Sequence, residues 1–262
     1  MNYDSFSNHY DRFVNWPSRL AYEMPLVREL LHAAAVEPPA RILDTACGTG
    51  MHAFALARQG YTAAGADISE GMIARAEATA SMEDLQVPFV PVGFGNLRRA
   101  FEEMGSIPFD ALLCLGNSLP HAHIPGHAVI ALEDFAACLR PGGLLLIQNR
   151  NFDAVMVKKE RWMEPQYHKD DHGDWVFLRF YDFLPDGNID FNILTLQRSE
   201  GNQWKQQVTT TRLRPLLQDD LVKMVKEAGF DEVVSYGDMS GTLFDPHKSG
   251  NLILAARKSF AD

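Results

Sequence analysis

Ile42-Leu43-Asp44-Thr45-Ala46-Cys47-Gly48-Thr49-Gly50 runs from a short apolar stretch into a glycine turn, and the turn opens a second apolar segment at Met51. Arg41 to Leu43 read as a short buried strand, and the segment from Met51 reads as a helix. Gly48 and Gly50 permit positive φ and let backbone N–H groups come close to a ligand. The next apolar run, Tyr61-Thr-Ala-Ala-Gly-Ala66, ends on an acid, Asp67. In a doubly wound sheet, an acid at the end of the second strand grips ribose hydroxyls. The expectation is a nucleoside-bearing ligand at the carboxyl ends of parallel strands. A dinucleotide fingerprint needs a third glycine to admit a pyrophosphate. Here Met51-His52-Ala53 follows instead, and Asp44 would repel a pyrophosphate while welcoming an ammonium group.

Outward from this core the apolar pattern keeps alternating between helix and strand. Leu20, Met24, Val27, Leu30 and Leu31 sit at helical spacing and predict a leading helix over 19–34. Strands follow at 41–45, 62–66, 87–92 and 109–115, with helices at 51–59, 69–80 (Ser69 as N-cap) and 129–139. Pro141-Gly-Gly is the turn into a fifth strand, 144–148. The rhythm then changes. Residues 175–183, 189–198 and 204–213 are strand-like runs joined by turns containing Pro185-Asp-Gly-Asn and Ser199-Glu-Gly-Asn, the pattern of an antiparallel meander. A helix at 218–228 and strands at 231–236 and 251–256 resume the first pattern. The fold class is therefore α/β: a Rossmann-like, doubly wound, seven-stranded, mostly parallel sheet with an antiparallel β-meander inserted after strand five. The organisation expected is an arm and helix over 1–40 covering the cofactor site, a core of 41–160 and 214–262, and an insertion, 161–213, shaping the substrate site.

Composition narrows the partners. The chain has 262 residues, 46% of them hydrophobic and 22% charged, an ordinary globular balance with enough length for a large core. No apolar run approaches a membrane span, and the start, Met-Asn-Tyr-Asp-Ser-Phe-Ser, shows no basic segment leading into an apolar one, so a cytoplasmic location is expected. Cys47, Cys114 and Cys138 lie in apolar surroundings without paired spacing and read as buried thiols. A net charge of −10 with no basic stripe disfavours nucleic acid and favours a small-molecule substrate. His121, His123 and His127 share a Pro/Gly loop that has no accompanying acid or cysteine, so no metal is expected. A homo-oligomer is compatible with all of this.

The loop Asp44–Gly50 is similar to motif I of the class I S-adenosylmethionine-dependent methyltransferases, in which it faces the methionine part of the cofactor. Two further segments, Cys114-Leu-Gly-Asn-Ser-Leu-Pro-His121 and Arg140-Pro-Gly-Gly-Leu-Leu-Leu-Ile-Gln-Asn-Arg-Asn-Phe-Asp153, resemble the glycine and glycine/sarcosine N-methyltransferases. The spacing of residues 19–31 is similar to that family's N-terminal helix. The resemblance implies S-adenosylmethionine as cofactor, contacted by Asp44, Ala46, Gly48 and Gly50 of the loop and by Leu115. Arg19 would pair with the cofactor's carboxylate, Asp67 would bind the ribose, and Ile68 and Met72 would sandwich the adenine. Tyr10 and Trp16 would close over the sulfonium as an aromatic lid. Where the family often reads Ala-Asp/Asn-Trp-x-x-Leu after strand three, this chain has Val92-Gly93-Phe94-Gly95-Asn96-Leu97, which puts Gly93 and Phe94 at the acid or amide and the tryptophan. Arg150 would clamp an amino-acid carboxylate, Asn117 would orient the amine through its amide oxygen, His121 would accept the amine's proton, and Tyr181 would offer a substrate-facing hydroxyl. The expected reaction is N-methylation of glycine, sarcosine or a related amine. The alternatives are a larger phenol, carboxylate or amine as acceptor, or a binder of the cofactor without catalysis.

Overall fold

A computed structural model describes residues 12–198 and 203–260. Helix α1 (Trp16–Ala33) precedes β1 (Arg41–Asp44), α2 (Met51–Ala57), β2 (Thr62–Asp67), α3 (Glu70–Met82), β3 (Phe89–Pro91), α4 (Leu97–Glu103) and β4 (Phe109–Cys114). After a short 3₁₀ turn at Leu119–His121 come α5 (His127–Cys138), β5 (Leu139–Arg150) and α6 (Phe152–Lys158). Strands β6 (Gln166–Asp170), β7 (Gly173–Phe183), β8 (Ile189–Arg198) and β9 (Trp204–Leu213) follow, and α7 (Gln218–Glu227), β10 (Phe230–Tyr236) and β11 (Asn251–Lys258) close the chain.

Seven strands form the main sheet in the order β10-β11-β5-β4-β1-β2-β3. All run parallel except β11, which is antiparallel to both neighbours. Successive side chains of a strand point to opposite faces, and the sequence obeys this rule at each central strand. Ile42, Ala111, Leu113, Leu144, Leu146 and Ile253 pack under α1, α2 and α3. Leu43, Leu112, Leu145, Ile147, Leu252 and Leu254 pack against α4, α5 and α7 on the other face. Burial on both faces explains why these strands read as unbroken apolar runs. The topology reverses beside β1, so the carboxyl ends of β1 and β4 open on a crevice.

Local chemistry fixes the elements that border this crevice. Asn15 caps α1 by accepting the Ser18 N–H at 3.2 Å, with a proline in the first turn, so the helix begins three residues earlier than its apolar spacing suggests. Gly50 caps α2 at φ +83°, and a Cβ there would come within 2.7 Å of the Phe89 ring. Helix α4, which the sequence pattern did not mark, is capped from another element. Its N-cap residue, Asn96, makes no side-chain cap. Instead the Asp134 carboxylate on α5 accepts the N–H groups of Gly95, Leu97 and Arg98 at 2.8, 2.8 and 2.9 Å.

The second sheet holds four antiparallel strands in the order β6-β7-β8-β9. Strands β7, β8 and β9 match the expected meander, while β6 is additional. Its residues alternate between half-buried and exposed with no apolar period, and besides its backbone pairing with β7 it is tied by the Tyr167 hydroxyl donating to Asp174 at 2.6 Å and Trp175 Nε1 donating to Asp170 at 3.2 Å. Strand β5 also runs through the expected Pro141-Gly-Gly turn as continuous strand and extends to Arg150. Among the described residues no helix is long and apolar enough to cross a membrane.

Candidate active site

A cavity of about 900 Å³ lies between the carboxyl ends of the main sheet and the inner face of the second sheet. One end is built by the turn after β1. Thr45, Ala46 and Gly48 line it, with Arg19 and Glu23 of α1 opposite. Arg19 Nε donates to Glu23 Oε1 at 2.9 Å, and Glu23 Oε2 meets His52 Nε2 at 2.6 Å. Burial alone would raise the Glu23 pKa, but the His52 hydrogen bond and the Arg19 charge hold it below the usual range. Asp44 is 2% exposed and sits behind this wall rather than on it. The Ala46 N–H leans towards its carboxyl, yet neither oxygen closes a hydrogen bond of normal geometry. Burial, with the charge of Asp67 adding to it, pushes its pKa up to about 6 against the pull of His52 and Arg19.

At the middle of the cavity Asp67 ends β2. Its two carboxylate oxygens accept the Gly48 and Ser69 N–H groups at 2.9 Å each, which fixes the side chain while leaving acceptor capacity for hydroxyl donors. Ile68, Met72, Gly93, Phe94, Gly95 and Asn96 continue the wall. Ile68 is 62% exposed and overhangs the mouth. A Cβ on Gly93 would approach Ile68 Cδ1 to 3.0 Å, so the absence of a side chain there lets the two loops close together. Phe94 is anchored edge-on to Phe135, ring centroids 5.3 Å apart.

The far end joins β4 to β5 and the second sheet. Gln148 Oε1 accepts the Gly116 N–H at 2.8 Å, Gln148 O accepts the Asn117 N–H at 3.0 Å, and Gln148 Nε2 donates to Asn251 Oδ1 at 3.3 Å. Asn117 adopts φ +64°, a conformation that asparagine tolerates better than most residues. Its amide oxygen accepts the Arg150 N–H at 2.9 Å. Beyond it, the Arg150 guanidinium stands beside the Tyr181 hydroxyl, and burial raises the Tyr181 pKa against that charge. His121 is half-buried, and desolvation, reinforced by His123, pushes its pKa down to about 4. Among the described residues no three His, Cys, Asp or Glu side chains gather as a metal site.

Several expected positions are thus relocated. Arg19, Ala46, Gly48, Asp67, Ile68, Met72, Phe94, Asn117, His121, Arg150 and Tyr181 all line the one cavity. Asp44 and Gly50 lie behind it, because β1 points Asp44 inward and Gly50 packs on Phe89. Leu115 is 3% exposed and lines a small adjoining recess instead. Trp16 is no lid: it is buried at the base of α1, edge-on to His52 and beneath the Arg19 guanidinium at 4.9 Å. Tyr10 lies outside the described residues. The Asn117 amide oxygen is committed to backbone, and a histidine held to about 4 is a weak proton acceptor. Unanticipated wall residues include Gln148 and Asn251, and Arg179 with Phe191 and Ile193 on the second sheet. A strand period of two placed Arg179 on the same face as Tyr181, and Gln148 on the face of Arg150, so that signal was present.

A seven-stranded sheet with one reversed strand next to the edge, a glycine turn after β1 and an acid ending β2 defines the class I methyltransferase fold. The donor set fits S-adenosylmethionine: an anchored acid for ribose hydroxyls, Arg19 for a carboxylate, and the orphaned Asp44 carboxyl behind the wall for a cationic end. Residues 42–143 match the methyltransferase domain family. Glycine/sarcosine N-methyltransferase from Aphanothece halophytica is 27% identical over 239 residues, 91% of this chain and 83% of that protein. An S-adenosylmethionine-dependent methyltransferase from Clostridium acetobutylicum superposes with a TM-score of 0.76 at 17% identity, covering 99% of this chain and 100% of that one. The amino pentose methyltransferase CalS10 from Micromonospora echinaspora, solved with S-adenosylmethionine bound, shares the fold with a TM-score of 0.67 at 16% identity, covering 91% of this chain and 92% of that one. The chain is an S-adenosylmethionine-dependent methyltransferase.

Proposed function

We propose that the protein methylates the amine nitrogen of a small carboxylate-bearing acceptor, of the glycine and sarcosine type. The observation that carries this reading is Arg150: it ends β5 inside the cavity, beside Tyr181, and no described carboxylate forms an ion pair with it. A guanidinium so placed suits a substrate carboxylate. Glycine/sarcosine N-methyltransferases similar over most of the chain support the same class of acceptor.

In this reading Asp67 holds the ribose hydroxyls, and Ile68, Met72 and Phe94 enclose the adenine. Arg19, steadied by Glu23, faces the cofactor's carboxylate. Bound S-adenosylmethionine supplies an electrophilic sulfonium methyl. The chain's own residues position the acceptor in line with it, keep water out and present a neutral amine. Arg150 fixes the carboxylate, and Asn117 serves through its amide N–H₂ and by locking Arg150. His121 acts as a neutral wall group, so the amine arrives already deprotonated; the nitrogen's lone pair takes the methyl, the sulfur keeps the electron pair of the broken bond, and an ammonium product that carries a proton releases it to solvent.

Calorimetric titration with S-adenosylhomocysteine, followed by labelled-methyl transfer to glycine, sarcosine and dimethylglycine, tests the proposal. Transfer to one of them that falls at least a hundredfold in kcat/KM with Arg150→Ala supports it. Binding with no transfer to any amino acid moves the acceptor to a larger molecule and overturns it.

A further inference from the structure

Arg150 has a second guanidinium for company. Arg179 lies on β7, two residues before Tyr181, and both face the cavity together with their cross-strand partners Ile193 and Phe191. The Arg179 guanidinium lies over the Phe13 ring at 5.1 Å. Its Nε is buried without a hydrogen-bond partner, and its outer nitrogen reaches only the Glu164 carbonyl at 3.5 Å. No described carboxylate forms an ion pair with Arg150 or Arg179. Like charges sharing a partly desolvated space repel, and neither has an anion to offset that cost; burial and the charge of Arg150 both draw the Arg179 pKa below its usual value.

The carboxylates described around the cavity stand at its cofactor end: Glu23 is paired with Arg19, and Asp44 and Asp67 lie on the side that receives the cofactor's cationic groups. At the acceptor end the two guanidiniums have no described carboxylate beside them. Glycine with a neutral amine brings one negative charge and leaves one half-buried guanidinium uncompensated. An amine with two acidic groups brings two. Tyr181, beside Arg150, and Arg179 are one pleat repeat apart on the same face of β7, so both guanidiniums open on the same end of the cavity, within reach of two acidic groups joined by a short carbon chain.

We propose that Arg150 and Arg179 form a paired cationic subsite that selects an amine bearing two acidic groups, an aminodicarboxylate in its simplest form, over a monocarboxylate such as glycine. This rests on the reading of the site as an amino-acid N-methyltransferase and specifies its acceptor.

Non-reactive ligands separate binding from turnover. With the protein saturated by S-adenosylhomocysteine, succinate and glutarate should bind at least tenfold more tightly than acetate by calorimetry. Arg179→Leu should reduce that preference by roughly tenfold to a hundredfold, the range for a lost hydrogen bond to a charged group, and Arg179→Lys should restore part of it. A melting curve on each variant checks that the fold is retained. In labelled-methyl transfer by the wild type, aspartate, glutamate or O-phosphoserine should exceed glycine in kcat/KM by tenfold or more; a phosphate-bearing acceptor in front would identify the second acid as a phosphate and still support two anions. Equal binding of acetate and dicarboxylates, or a preference indifferent to Arg179→Leu, overturns the subsite. Glycine as the fastest acceptor also overturns it while leaving the proposed function standing. Dicarboxylate selectivity that depends on Arg179, with no transfer to any amino acid, supports the subsite and overturns the proposed function.

Discussion

Asp134 never touches the cavity, yet the nucleoside end of the site depends on it. Its carboxylate replaces the missing cap of α4 by accepting three N–H groups at 2.8 to 2.9 Å, and two of the residues involved adjoin or form the wall at 93–96. Hydrogen bonds to charged groups contribute about 1.5–3 kcal/mol each when deleted singly. The three share one carboxylate, and a loosened loop can hydrate its N–H groups, so Asp134→Ala should cost about 3 kcal/mol rather than the sum. For a chain of this size that corresponds to a fall in Tm of roughly 6–10 °C. Because Gly95 and Asn96 lose their tether, S-adenosylhomocysteine should bind about tenfold more weakly, a loss of about 1.4 kcal/mol. Asp134→Asn keeps one acceptor oxygen and should fall between the two. Scanning calorimetry with and without S-adenosylhomocysteine reads both quantities. A Tm within 2 °C of wild type and unchanged affinity would refute the reasoning, and would assign the loop's order to the edge-on Phe94–Phe135 contact instead.

If Asp67 accepts the ribose hydroxyls as proposed, Asp67→Ala should weaken S-adenosylhomocysteine by about a hundredfold or more, with the anchor for the Gly48 N–H lost as well; unchanged affinity by calorimetry would remove the ribose role. His121, held to about 4, is neutral across the physiological range, so the rate profile between pH 5 and 8 should follow the acceptor amine and show no inflection near 6.5 that vanishes in His121→Gln. Stability carries a second signature. The unfolded chain binds the His121 proton more readily between about 4 and 6.5, so this group makes stability rise with pH there, whereas Asp44, raised to about 6, binds its proton more readily when folded and makes stability fall as pH rises through that value. The two oppose each other, and Asp44→Asn should therefore steepen the rise of urea midpoints between pH 4.5 and 6 by up to about 1.4 kcal/mol per pH unit; parallel wild-type and variant curves would contradict the shifted Asp44.

The core of the sheet was legible because its code is local. Strands buried on both faces have to be apolar throughout, and Ile42-Leu43, Leu112-Leu113 and Leu144–Ile147 are. What escaped notice depends on distant partners. Helix α4 is capped by a residue 37 positions beyond Leu97, so its own sequence carries no start signal. Strand β6 is an edge paired with β7, and none of its residues is buried, so no apolar period marks it. At Pro141-Gly142-Gly143 the glycines marked a turn, but a Cβ on Gly143 would meet the Arg140 and Asp110 carbonyls at 2.9 and 3.2 Å. There glycine serves close strand approach, and β5 runs straight through.

The same division runs through the site. Asp67 and Gly48 were readable because each sits at the carboxyl end of a strand with its own local signal, a glycine turn after β1 and an acid closing the apolar run of β2, and the Asp67 carboxylate accepts the Gly48 N–H. Asn117 was readable as a position but not as a role. Its amide oxygen is drawn to the Arg150 N–H by the pairing of β4 with β5, and no one-dimensional pattern states which lone pair a backbone will claim. Tyr181 is named by the family resemblance, whereas Arg179 is marked only by the strand alternation of residues 175–183. Read with a period of two, Trp175, Phe177, Arg179 and Tyr181 form one face, and an arginine set among three aromatic residues on a covered face requires a counter-charge from outside the strand. No described carboxylate forms an ion pair with it. In the proposed subsite the acceptor supplies that counter-charge, which would tie the chemistry of the substrate to one position in the second sheet.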